Sequence, residues 1–339
     1  MTESSYIAAH SFAFSVPPRR VSNDDLSTLM DTSDEWIRQR TGIAQRYWVD
    51  PPTTTSDLGV ASARQSCTGQ PDALIAATLS PDYCFPGIGV LIQHKLGLPP
   101  IPAFDVRNQC CGFLYALQMA QAFIAASMYQ RILVVGAEVH STGLDVSTRG
   151  RDIAVLFGDG AGSCIVERGN SSQAEHFEVI GFELHGDGKY ASELWCEHPG
   201  SAHFPVRITR ELVESGKIFP AMNGKKVFEH AVRGMTEVSR SLLTSHGLSP
   251  SDVRLVVPHQ ANLRINQLVG SELGLPADRV FNTIQEFGNT TAATIPIGLT
   301  KALQARLLQQ GDLVLLCAFG SGFTWGAGLL RYHSALPER

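Results

Sequence analysis

CCGFLYALQMAQAFIAASMYQRILVVGAE, from Cys110 to Glu138, changes character partway along. Cys111–Ala126 predicts a long apolar helix, and Ile132–Glu138 is a short apolar, β-branched run that predicts a buried strand. Upstream lies another such run, DALIAATLS (Asp72–Ser80), so the order is strand, Cys110, helix, strand. The second half repeats that order: VRLVVPH (Val253–His259) leads to Asn289, a helix over Thr291–Leu308, and the strand DLVLLCAFG (Asp312–Gly320). Cys110 and Asn289 fall at matching places, each opening the helix before a buried strand. This internal repeat predicts an α/β protein of two duplicated halves, 1–172 and 173–339, dividing near RGNSSQAEHF (Arg168–Phe177). AGSCIVER (Ala161–Arg168) adds a strand, and Ser56–Cys67, Lys226–His246 and Asn262–Leu273 add helices. In TSDEWIRQRTG, Thr32 stands three residues before Glu35, a capping-box pattern that predicts a short helix ended by Gly42.

With 339 residues, 44% of them hydrophobic, the chain is long enough for one large or two fused cores. A formal net charge of −5 gives no reason to expect nucleic acid as a partner. The most apolar windows are strand-length, well short of the roughly 20 residues of a membrane span, and the N-terminus lacks a signal-peptide pattern. Seven cysteines without a C-x-x-C spacing suggest neither a disulfide framework nor a zinc knuckle. Reduced thiols in a cytoplasmic protein are the expectation.

Cys110 therefore needs another account. A free cysteine often simply packs. At a helix N-terminus, however, unpaired N–H groups and the helix dipole favour the thiolate, which predicts a lowered pKa and a nucleophile. Cys111 points elsewhere and is expected to pack. VVPHQANLRI places His259 just past a buried strand, where α/β folds keep functional groups. EFGNTTAATIPIGL sets Asn289 ahead of a helix, where it also reads as a cap. The glycines of CAFGSGFTWGAGLLRY allow a tight turn able to aim an N–H at an oxyanion. LFGDGAG precedes a strand and has no lysine, so it is not a phosphate loop. Metal binding by Cys110, Cys111 and His259 fails on ligand count.

CCGFLYAL, VVPHQANLRI, FGNTTAA and AFGSGFTWGAGLLRY, in this order, resemble the β-ketoacyl-acyl-carrier-protein synthase III family of the thiolase superfamily. DTSDEWIRQRTGI, FPGIGVLIQHKLG and LFGDGAG extend the resemblance over about Phe12 to Tyr332. LSPD, RGRDIAVLFGDGAG and GSGFTWGA also resemble the PqsD branch, which condenses anthraniloyl groups. The resemblance implies a five-layered αβαβα fold and a homodimer. It implies an acyltransferase of fatty-acid biosynthesis in which Cys110 takes an acyl group from acyl-CoA. His259 and Asn289 would hold the malonyl thioester, carried on acyl carrier protein or CoA, while it loses CO2. The N–H groups of Cys110 and Ser321 would form the oxyanion hole. Trp36, Arg40 and Arg264 would meet CoA or the carrier, with Arg151, or else Arg149, at the phosphates. Phe85 would cross the dimer interface to bound the partner's acyl pocket. No cofactor and no metal are implied.

The sequence departs from the family at Cys111, commonly alanine, at Ser321, commonly glycine, and at Lys225, commonly asparagine. Cys84, Gly87 and Gly89 are small, which suggests room for a bulkier primer. Two other readings compete: a secondary-metabolite condensing enzyme with an aryl or medium-chain primer, and a Cys-His-Asn hydrolase. The order Cys, His, Asn occurs in papain-like proteases, but their Gly-Ser-Cys-Trp context is absent.

Overall fold

In the computed structural model, which describes residues 6–169, 175–203 and 205–334, one nine-stranded sheet runs through the molecule. Its strands are β1 (Ile7–Ser15), β2 (Ala73–Ala77), β3 (Ala103–Val106), β4 (Arg131–Glu138), β5 (Gly160–Arg168), β6 (Glu175–Gly186), β7 (Val253–Pro258), β8 (Leu313–Gly320) and β9 (Thr324–Ser334). Seven described helices have eight residues or more: α1 (Asp34–Thr41), α2 (Thr55–Ser66), α3 (Ile88–Lys95), α4 (Gly112–Ala125), α5 (Gly224–Ser245), α6 (Leu263–Glu272) and α7 (Thr294–Gln304). None of the described helices is long and apolar enough to cross a membrane.

The spatial order is β7-β8-β9-β6-β1-β5-β4-β2-β3. From β3 inward to β1, two parallel pairings are followed by two antiparallel ones. From the other edge, Val280 bridges Val256 of β7 in parallel, β7 and β8 are parallel, and the next two pairings are antiparallel. The same pattern thus occurs twice, and the first strand of each set, β1 and β6, joins the two by antiparallel pairing of Ala9 with Phe177. The expected division at 172/173 lies outside the described residues.

Period-two alternation explains the layering, because successive strand residues face opposite sides. In β4, Ile132 and Val134 enter a central core with α4 and α7, while Leu133 and Val135 enter an outer core with α2. In β8, Val314 and Leu316 face the central core, and Leu315 and Cys317 face α5 and α6. Strands buried on both faces read as continuous apolar runs. The result is five layers, helix, sheet, central helices, sheet and helix. Each fully buried Leu, Ile or Val contributes about 1.5–3 kcal/mol.

One expectation about the short helix is corrected. The cap of α1 is Ser33, whose hydroxyl accepts from Trp36 N–H, while the Thr32 hydroxyl is buried without a partner among the described residues. Gly42 does end that helix, at φ +81°. Strands β1, β3, β6 and β9, and helix α3, were not legible as such. In β9, glycine is required by close pairing: a Cβ on Gly326 would lie 2.3 Å from Leu184 Cδ2 and 2.9 Å from the Glu183 carbonyl.

Candidate active site

Cys110 lies in a short turn, Gln109–Cys111, between β3 and α4. Gln109 adopts φ +46°, a left-handed conformation uncommon outside glycine, and so turns the chain sharply at the thiol. Cys111 faces away and donates its thiol to the Thr324 carbonyl at 3.3 Å, as its packing role predicts. Gly320, at the end of β8, lies directly against Cys110: a Cβ there would meet Cys110 Cβ at 2.8 Å and Sγ at 3.2 Å. The Ser321 hydroxyl donates to the Leu194 carbonyl, which fixes the turn so that Ser321 N–H faces the sulfur.

The electrostatics correct the sequence expectation. Burial pushes the Cys110 thiol up, with Cys111 and Glu138 adding to the effect, while the N–H groups of Cys110 and Ser321 oppose it. A thiol 8% exposed loses more by desolvation of its thiolate than the turn returns. The resting form is the thiol.

His259 follows β7 and its N–H donates to the Cys317 carbonyl of β8 at 2.8 Å, which sets its position from the sheet. Next to it, the Gln260 carboxamide accepts from Thr283 and Ile284 N–H, and Asn262 caps α6 and donates to the Arg40 carbonyl. Burial holds the imidazole neutral, its pKa lowered to about 3. Nδ1 lies 2.8 Å from Thr294 Oγ1, and Nε2 is buried with no partner among the described residues. The Thr294 hydroxyl has one proton and two acceptors in reach, Nδ1 and the Thr291 carbonyl at 2.9 Å. Turned to Nδ1, it leaves the proton on Nε2 as a donor; turned to Thr291, it makes Nε2 an acceptor.

Asn289 is placed by backbone from the GDG segment: its N–H donates to Leu156 O at 2.8 Å, and its carbonyl accepts from Gly158 N–H at 3.1 Å. Thr291 N–H donates to Asn289 Oδ1, which orients the amide and leaves its NH2 unassigned to that contact. The LFGDGAG segment is thus a strut. Asp159 accepts from Val49, His140 and Ser141 N–H, and a Cβ on Gly158 would strike Phe287 O at 2.3 Å.

Cys110, His259 and Asn289 line one cavity of about 1090 Å³, together with Trp36, Arg40 and Arg264. Arg149 and Lys225 also line it. Arg149 pairs with Asp145 and donates to the Glu214 carbonyl. Arg151 is not among its lining residues; its guanidinium lies over the Trp36 ring at 5.2 Å, and Arg40 lies at 4.5 Å. Phe85 is 84% exposed and outside this cavity. Cys84, Gly87 and Gly89 do not line it either. Gly87 is small because a Cβ would meet the Asp105 carboxylate at 2.2–2.5 Å, and Gly89 N–H donates to that carboxylate. Glycine there admits the Asp105 side chain.

Sequence reading missed Thr294 and Glu138. Glu138 accepts from the Ser80 hydroxyl and from N–H groups of Leu79, Ser80 and Ala292, and burial raises its pKa to about 7. Nothing local distinguishes either residue, since their roles come from strand ends meeting in space.

A buried thiol with N–H donors at its sulfur, sharing one cavity with a neutral imidazole and an oriented carboxamide, is a set of groups suited to thiol-mediated acyl transfer, carried on a duplicated α/β fold. It is not a papain-like dyad, because His259 Nδ1 meets Thr294, and Asn289 Oδ1 is occupied by Thr291 N–H.

Comparison with known proteins agrees. Family profiles described as 3-oxoacyl-[acyl-carrier-protein] synthase III and its C-terminal part match residues 104–188 and 243–332. The β-ketoacyl-[acyl-carrier-protein] synthase III of Oleidesulfovibrio alaskensis is 42% identical over 98% of this chain and 100% of its own. Crystal structures of the 3-oxoacyl-acyl-carrier-protein synthases III of Pseudomonas aeruginosa PAO1 and Aquifex aeolicus VF5 superpose with TM-scores of 0.87 and 0.85. They are 33% and 35% identical, and the matches cover 98% and 97% of this chain and all of theirs. The chain belongs to the β-ketoacyl-acyl-carrier-protein synthase III family, whose members are condensing acyltransferases.

Proposed function

We propose that this chain performs the priming condensation of fatty-acid biosynthesis, joining an acyl group from acyl-CoA to a malonyl unit on acyl carrier protein. The observation that carries this reading is the convergence of Cys110, His259 and Asn289 on one cavity, with Ser321 N–H at the sulfur. In the first half-reaction the Cys110 sulfur attacks the acyl-CoA carbonyl. The carbonyl electrons move onto oxygen against the Cys110 and Ser321 N–H groups, then return as CoA thiolate leaves and takes up the thiol's proton. In the second, the malonyl C–C bond breaks, CO2 departs, and its electron pair forms an enolate. His259 Nε2–H and the Asn289 NH2 stabilise the enolate oxygen without being strong enough acids to quench the carbon. That carbon attacks the Cys110 thioester, and the sulfur leaves and regains a proton. One preorganised oxyanion donor is commonly worth about 3–4 kcal/mol in such steps. No cofactor enters the sequence.

Trp36 with Arg151 over its ring supports stacking of the CoA adenine there, while Arg149, Arg40, Arg264 and Lys225 line the path that phosphates would follow. The exposed Phe85, beside the exposed Tyr83, supports a homodimer in which Phe85 reaches the partner's acyl pocket. Seven free cysteines fit a reducing cytoplasm.

The test is intact-mass analysis of wild type and Cys110→Ala with acyl-CoAs from acetyl to decanoyl and anthraniloyl-CoA, followed by malonyl-carrier or malonyl-CoA. Expected are an adduct on wild type alone and its discharge with release of CO2 on adding the malonyl carrier. Adducts on both proteins, or discharge without CO2, would overturn the reading. Labelling by anthraniloyl-CoA alone would favour the secondary-metabolite branch.

A further inference from the structure

We propose a transition-metal site, of the zinc class, formed by Glu197, His198 and His203 on the loop that borders the cavity mouth. The three side chains each offer a ligand atom, and these atoms all lie within 4.8 Å of one another. Glu197 Oε1 stands 3.9 Å from His198 Nε2 and 3.8 Å from His203 Nε2. Those separations are too long for hydrogen bonds, so the carboxylate faces two imidazoles while bonding neither.

Around a tetrahedral zinc with bonds of about 2.0–2.1 Å, ligand atoms lie ~3.3 Å apart. A contraction of about half an ångström would therefore bring Glu197 Oε1 to coordination distance of each imidazole nitrogen, and the set as a whole, within 4.8 Å, closes by at most about 1.5 Å. His203 N–H donates to the Gly200 carbonyl at 3.1 Å, which returns the chain and places the two rings one over the other with centroids 3.7 Å apart; binding one metal through both would spread the rings to about 5 Å as their nitrogens converge on it. His198 is 6% exposed, and its Nδ1 has no partner among the described residues. Nε2, on the other side of the ring, is the nitrogen that faces Glu197 and would be the ligand atom. Two imidazoles and one carboxylate, with a further position for water, match zinc and its neighbours, whereas magnesium and calcium prefer oxygen ligands.

The site's place gives it a consequence. Trp195 and Glu197 line the cavity holding Cys110, and the adjacent Leu194 carbonyl accepts from the Ser321 hydroxyl. A bound metal fastens the segment that both borders substrate entry and holds the residue whose N–H faces the nucleophile. The inference does not rest on which thioesters the enzyme uses.

The experiment is calorimetric titration of chelator-treated full-length protein with ZnCl2, paired with the visible spectrum of the cobalt(II) form. Wild type is expected to bind one metal per chain and give a cobalt spectrum without a sulfur-to-metal charge-transfer band. His203→Ala is expected to weaken binding at least ~100-fold, beyond the roughly 10–100-fold that changes around a metal's ligands already cause. Glu197→Gln, a milder change on a partly exposed side chain, is expected to weaken binding in the same direction. Circular dichroism melting of each variant verifies folding. Absence of binding to wild type, unchanged binding by both variants, or a thiolate band from a cysteine site would overturn the proposal.

Discussion

Replacing Thr294 by valine tests how the His259 imidazole is held for the condensation proposed above. The substitution keeps a branched side chain at the start of α7 and removes only the oxygen 2.8 Å from His259 Nδ1. His259 is 2% exposed, so water does not replace the lost partner. Leaving a buried polar group unpaired costs about 1–3 kcal/mol. Because that hydrogen bond orients the ring and, with the hydroxyl turned to Nδ1, keeps the proton on Nε2, the loss should fall on the step in which Nε2–H meets the enolate. At about 1.4 kcal/mol per factor of ten, condensation should slow roughly 5–150-fold. Acylation of Cys110 draws its oxyanion donors from the backbone of Cys110 and Ser321 and should change by less. Rapid-quench mass spectrometry separates the steps: the acyl-enzyme should form at near the wild-type rate and then accumulate in the presence of the malonyl carrier. Thr294→Ser, which restores the hydroxyl, should restore condensation. Wild-type condensation in the valine variant, equal losses in both steps, or no rescue by serine would refute the positioning role.

Three further outcomes follow from the same geometry. Gly320→Ala would drive a methyl to 2.8 Å from Cys110 Cβ and 3.2 Å from Sγ, so acyl-enzyme formation should fall at least tenfold, by about 1.4 kcal/mol or more; normal labelling by acyl-CoA would contradict that contact. Since burial raises the Cys110 thiol's pKa, iodoacetamide should alkylate it more slowly at neutral pH than a free cysteine, with a rate still climbing above pH 9; a plateau below pH 8 would mean a lowered pKa instead. Glu138, with its pKa raised by burial from 4.5 to about 7, keeps its proton in the folded state where the unfolded chain has lost it. Its contribution to stability is therefore fully present below about pH 4.5 and is lost as pH rises toward 7. Glu138→Gln should flatten the pH dependence of chemical unfolding in that window, and an unchanged slope would show that Glu138 does not titrate there.

Much of this was written in the sequence. The apolar runs that became β2, β4, β5, β7 and β8 are strands buried on both faces, and such strands need no partner to be recognised. The helices α2, α4, α5, α6 and α7 fell within a few residues of their expected ends because their patterns are long. Cys110, His259 and Asn289 were found by type and position at matching ends of a repeated unit, and the structure brings all three to one cavity. Other features are decided by contacts between distant segments, which leave no local pattern. Strand β3 is four residues long, and β9 carries glycines because β6 passes close beside it. Gly87 and Gly89 suggested an open pocket, yet they exist to admit Asp105. Position at the start of a helix suggested an acidic Cys110 thiol, but burial depends on what the fold packs around the sulfur, and burial prevails. Sequence alone determined the duplicated α/β plan and singled out the three candidate side chains, because periodicity and residue chemistry are properties of the chain itself. Only the tertiary structure decided their protonation, the Thr294 partner of the imidazole and the meeting of Glu197 with His198 and His203, because desolvation and hydrogen bonding exist only once remote residues share one place.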